Sequence, residues 1–160
     1  MEQTTLQNEL RGMQRTGSIS LWLVSLLTII AATIANLIVR AIAFALLPLS
    51  TTFEPLAWQS VILMTVVGVV LACGVYALVR RFSRRAVRVY TVIAVIALFI
   101  SLIPDVLILS DPIAFEADTT IPEVAAMMGL HGVAAIVSII MLTRLAPPTQ
   151  KHASSHGGNH

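Results

Sequence analysis

Four long apolar runs, separated by short polar segments, make up most of the chain. They cover roughly residues 20–43, 56–79, 89–109 and 121–142. Each is close to the ~20 residues that an α-helix needs to cross a hydrocarbon core of about 30 Å. The β-branched stretch Thr91-Val92-Ile93-Ala94-Val95-Ile96 has the composition of a strand. In lipid a lone strand leaves its backbone groups unpaired, so helix is the reading there too. The fold class that follows is an all-α membrane protein, a four-transmembrane-helix bundle occupying residues 18–145. A polar segment, 1–17, precedes it. A Pro-, Ser-, Gly- and His-rich tail, 146–160, follows and reads as disordered.

The punctuation between runs agrees with this division. Arg11 and Arg15 before the first run imitate the basic start of a signal peptide. The run then continues far beyond the 7–15 residues of a signal's apolar region, so an uncleaved span is expected. Pro48 and Ser50-Thr51-Thr52 end the first helix, and Glu54-Pro55 is expected to open the second, since proline is tolerated in a first turn. Pro104-Asp105 is expected to interrupt the third near its end. Pro122-Glu123 suits the first turn of the fourth, where an acid complements the helix dipole. Trp22, Tyr76 and Tyr90 are expected at one membrane interface and Trp58 at the other. Trp58 and Tyr76 are about 27 Å apart along a helix, which matches two aromatic belts. Gly68, Ala72 and Gly74 form a small-residue stripe, expected to let helices pack closely within the bundle.

Charge then orients the bundle. Arg80, Arg81, Arg84, Arg85 and Arg88 crowd the segment between the second and third runs. Short basic loops resist translocation, which places this loop on the cytoplasmic side. Four spans carry Arg11, Arg15, Arg144 and Lys151 to the same side, and Arg40 alone to the other. Glu54, Asp105, Asp111, Glu116, Asp118 and Glu123 fall on the outer side. The expectation is a multi-pass protein of the cell membrane with both termini cytoplasmic. Composition supports it: 57% of residues are hydrophobic and 11% charged, against about 25% charged in soluble domains. The pI near 9.2 reflects this topology signal, so the lipid bilayer is the expected partner and nucleic acid is not. Cys73 is the only cysteine, which rules out an intramolecular disulfide and C-x-x-C redox chemistry.

Polar residues within the runs are the candidates for chemistry, because lipid makes them costly. Asn36 and Arg40 are four apart and share a helix face. Asp105 follows Pro104, and His131 lies between Gly129 and Gly132. Helical rise puts Asn36 and Arg40 about 21 and 27 Å beyond Trp22, Asp105 about 26 Å beyond Arg88, and His131 about 20 Å before Arg144. All four fall in the outer half of the bilayer. One reading is an outward-opening polar pocket, with Arg40 as anion anchor, Asp105 as its counter-ion and His131 as proton carrier or ligand. The other is a structural Arg40–Asp105 pair with a hydrogen-bonded core histidine. Pro104 also deprives the Ile100 carbonyl of its helical donor, a gap that Asn36 or Arg40 is placed to fill.

Catalytic and metal signatures are missing. One histidine in the spans precludes a bis-histidine haem within one subunit. His152, His156 and His160 lie in the tail, where Gly157 and Gly158 disfavour the helix that would align them on a metal. No metal site, catalytic residue or cofactor is assigned.

Asn36 near the end of the first run, Ser101-Leu102-Ile103-Pro104-Asp105 in the third and Met128-Gly129-Leu130-His131-Gly132-Val133-Ala134-Ala135 in the fourth resemble an uncharacterised family of small four-helix bacterial membrane proteins, a domain of unknown function. The resemblance covers about residues 18–145 and implies a fold and a location, without an activity. The function expected is that of a non-enzymatic small-ligand-binding or accessory inner-membrane subunit. The alternatives are an oligomeric transporter or channel component, for which the small-residue faces permit a homo-oligomer, and a membrane enzyme acting on a lipid or quinone through His131 and Asp105.

Overall fold

The structure, a computed structural model, describes residues 20–51, 53–110 and 119–146. These form four helices: α1 (Leu21–Leu46), α2 (Trp58–Phe82), α3 (Ala86–Ser110) and α4 (Ile121–Leu145), with a short 3₁₀ turn at Glu54–Leu56 before α2. Each of the four is long and apolar enough to cross a membrane, and no strand occurs among the described residues. The protein is a multi-pass transmembrane helical bundle.

The buried faces explain why these sequences pack as they do. On α1 burial recurs at Val24, Thr28, Ala32 and Asn36. On α2 it falls at Val61, Thr65, Val69, Cys73 and Tyr76. A step of four keeps successive side chains on one face of a helix, and small or compact residues there let the backbones approach in lipid. The remaining faces carry exposed Leu, Ile, Val and Phe, such as Ile30, Ile34 and Ile38 on α1. In a bilayer acyl chains cover these positions.

Neighbouring helices run antiparallel. Helix α1 packs mainly against α4 and α2, while α3 packs mainly against α4 and less against α2. Helices α1 and α3 thus face each other across the diagonal. Two apolar clusters fill the interior. One, toward the arginine loop, holds Val24, Ala32, Val69, Cys73, Tyr76, Tyr90, Leu142 and Ala146. The other, toward the opposite end, holds Phe53, Leu56, Val61, Ala126 and Leu130.

Several sequence expectations need correction. Tyr76 and Tyr90 are buried, not interfacial. Their rings meet edge to face at 4.9 Å, and the Tyr76 hydroxyl donates to the Ala146 carbonyl at 2.6 Å. A phenol with an internal acceptor has no need of the interface. Trp22 and Trp58 are both exposed, at opposite ends of the bundle. Glu54-Pro55 lies in the separate 3₁₀ turn, so α2 begins at Trp58. Pro104 sits inside α3, which continues through it to Ser110. Gly68 and Gly74 face outward, with nothing near an added Cβ at either, so they do not serve close packing within the bundle.

Candidate functional site

A polar stratum lies between the two apolar clusters. Asn36 and Thr65 continue the buried faces of α1 and α2, and their side chains meet: Asn36 Nδ2 donates to Thr65 Oγ1 at 2.8 Å. Asn36 Oδ1 and Thr33 Oγ1 are buried with no hydrogen-bond partner.

Across the bundle, α3 and α4 bring Asp105 and His131 together. His131 Nδ1 is 3.3 Å from Asp105 Oδ2 and 3.0 Å from the Met127 carbonyl oxygen. A ring nitrogen facing a carbonyl must carry its proton, because two acceptors repel. In the neutral ring Nε2 is then the acceptor. The Asp105 side chain is 4% exposed and that of His131 40%. Asp105 Oδ2 lies within ion-pair distance yet lacks a hydrogen-bond donor. The pair therefore consists of a buried, under-satisfied carboxyl group and an imidazole that reaches the bundle surface. Gly129 and Gly132 beside it leave open space around that part of α4.

Arg40 belongs to neither contact. Its Nε donates to the Leu56 carbonyl at 2.6 Å, and its guanidinium lies over the Phe44 ring, 4.5 Å from the centroid. The expected Arg40–Asp105 pair does not form, and neither Arg40 nor Asn36 reaches the Ile100 carbonyl. The reason is topological: Arg40 is on α1 and Asp105 on α3, the diagonal helices, with α4 between them. The break between the 3₁₀ turn and α2 instead frees the Leu56 carbonyl, which lies beside α1. Similar depth along separate helices thus yields three local contacts in place of one network.

Sequence reasoning missed two residues. Thr65 reads as an ordinary polar position in an apolar run. Its signal was its place four residues after Val61 and four before Val69, on the face that meets Asn36. Glu123 is more than a dipole partner. Its carboxylate accepts from the Thr120 N–H at 2.7 Å and hydroxyl at 2.9 Å, and from the Ser50 N–H at 3.0 Å. Thr120-x-x-Glu123 has the spacing of a capping box, and the Ser50 bond ties the α1–α2 connection to the start of α4. Among the described residues no group of three or more His, Cys, Asp or Glu could hold a metal ion. The segments carrying Arg11 and Arg15, the 111–118 acids and the tail histidines lie outside the described residues.

A family model described as a family of unknown function (DUF6069) matches residues 16–148. No curated protein and no solved structure matches the chain.

Proposed function

The chain belongs to this family of unknown function, and from that premise we propose that it is a non-enzymatic accessory protein of the cell's inner membrane that binds a small membrane-dissolved ligand. The arginine loop and both termini face the cytoplasm in this reading. The observation that carries it is the Asp105–His131 pair. A carboxyl group in a poorly solvated site is costly unless its oxygens are satisfied. Here one oxygen is not, and the neighbouring imidazole is open to the membrane-facing surface. A hydroxyl, phenol or amide of a lipophilic molecule would hydrogen-bond Nε2 while its apolar body lies along α3 and α4. The test is native mass spectrometry of gently extracted protein. The expected result is a bound small molecule on the wild type that is lost from a folded His131→Ala variant. A wild type free of any adduct, or an adduct kept by the variant, would defeat the proposal.

An oligomeric transporter or channel component is the second reading. It draws support from Gly68 and Gly74, which face outward with room for another helix to approach. The same spectra report it, as a discrete oligomer that Gly68→Leu and Gly74→Leu dissociate.

A further inference from the structure

The geometry points to a second binding site, for a phosphate-bearing anion and in particular an anionic lipid headgroup, centred on Arg40. Three features assemble it. First, the guanidinium is fixed on two sides, by the Leu56 carbonyl and the Phe44 ring. That spends only Nε–H of its five donors. Second, no carboxylate among the described residues lies within ion-pair distance of it. Glu123 is committed to Thr120 and Ser50, and Asp105 to His131. The two terminal nitrogens remain as a planar fork, the shape that takes two oxygens of a phosphate at once. Third, the surroundings are those of a lipid. Arg40 is half-buried on α1 and bonded two residues before Trp58, an exposed aromatic at this end of the bundle of the kind that favours a membrane interface. The partly buried Phe44 beneath it, with the partly buried Ala43 and Leu49 of the same cluster, supplies apolar surface. An anion with acyl chains satisfies the charge and covers that surface together, whereas free phosphate satisfies only the charge. The site is independent of the Asp105–His131 reading, because neither residue touches it.

The experiment uses full-length protein in a neutral detergent. Phosphatidylglycerol, phosphatidylcholine and inorganic phosphate are added separately, and retention is read by native mass spectrometry. Wild type should retain one phosphatidylglycerol per chain with about tenfold preference over phosphatidylcholine, whose phosphodiester offers the same oxygens to the fork but whose choline cation cancels the net charge and is repelled by Arg40. Arg40→Gln should abolish the preference, and Arg40→Lys, with a point charge and no fork, should keep only part of it. Phe44→Leu, which keeps the charge but loses the stacking surface, should weaken retention and guards against a folding defect in the Arg40 variants. Asp105→Asn should leave retention unchanged, which separates this site's failure from that of the function proposed above. Saturation by inorganic phosphate alone, dependent on Arg40, would make the ligand a free anion and overturn the lipid assignment. Equal retention by wild type and Arg40→Gln would overturn the site. A tenfold gain on neutralising Asp111, Glu116 and Asp118 together would show that the acidic segment, and not lipid, normally serves Arg40, and would overturn it too.

Discussion

Replacing Asp105 and His131 singly and together separates a true pair from two residues that happen to be near. The Asp105 carboxyl and the imidazole N–H lie 3.3 Å apart, a charge–dipole contact worth a fraction of the roughly 5 kcal/mol that two full charges at that distance gain at an effective dielectric constant of 20. Most of that is offset by the cost of taking the carboxylate out of water. His131 is also substantially exposed, which reduces the net value further. Measured couplings between polar side chains in membrane bundles average about 0.6 kcal/mol and reach about 1.7. A coupling near 1 kcal/mol is therefore expected for Asp105→Asn with His131→Ala, with the double variant recovering part of the loss. The control is Asp105→Asn with Arg40→Gln. Those residues sit on diagonal helices and share no contact, so their effects should add within about 0.3–0.5 kcal/mol. Reversible unfolding in mixed micelles, followed by tryptophan fluorescence from Trp22 and Trp58, gives all the required free energies. Additivity for Asp105 with His131, or a coupling of similar size for Asp105 with Arg40, would refute the arrangement of helices described above.

The two buried tyrosines should respond oppositely to the same change. Tyr76→Phe removes a donor from the Ala146 carbonyl and should cost about 1 kcal/mol in the same assay. The Tyr90 hydroxyl is buried without a partner, so Tyr90→Phe should be neutral or stabilising by up to about 1 kcal/mol; equal losses would contradict the assignment. Glu123→Gln weakens charge-assisted bonds to Thr120 and Ser50 and should destabilise by about 1–2 kcal/mol. It should also speed amide exchange at Ser50, which hydrogen-exchange mass spectrometry reads directly. For topology, single cysteines at Ser83 and Thr119 in a Cys73→Ser background should differ toward an impermeant maleimide in intact cells. Thr119 should be labelled and Ser83 protected, and the reverse pattern would invert the orientation.

How much was legible in the sequence depends on the kind of information each element carries. The four spans are written in composition, because a helix must be apolar for about 20 residues to cross lipid, and all four stand close to where the apolar runs lie. Relative height was legible only in part: Asp105 and His131, set at similar heights by helical rise, do meet, but the partner expected for Asp105 was Arg40. Azimuth was not legible. Nearly every face of a membrane helix is apolar, so the pattern that tells buried from exposed in soluble helices is faint here. That is why Tyr76 and Tyr90 read as interfacial aromatics, Gly68 and Gly74 as packing positions, and Arg40 as a partner for Asp105. The arrangement with α1 diagonal to α3 decides all of these, and no single run of residues encodes it. The capping box at Thr120 and Glu123 was written locally, whereas its third bond, to Ser50, depends on the tertiary fold.

The ligand-binding role of the Asp105–His131 pair is tested most directly by the nitrogen resonances of His131. Protein labelled with ¹⁵N in its histidine rings, reconstituted in nanodiscs, gives separate signals for Nδ1 and Nε2. The His131→Ala variant identifies those belonging to this residue. Addition of a total lipid extract from the source membranes should shift Nε2, the ring nitrogen with no hydrogen bond among the described residues, while Nδ1 keeps the position of a protonated nitrogen held by the Met127 carbonyl. An Nε2 signal that stays in place at saturating extract, or a change confined to Nδ1, would contradict the account.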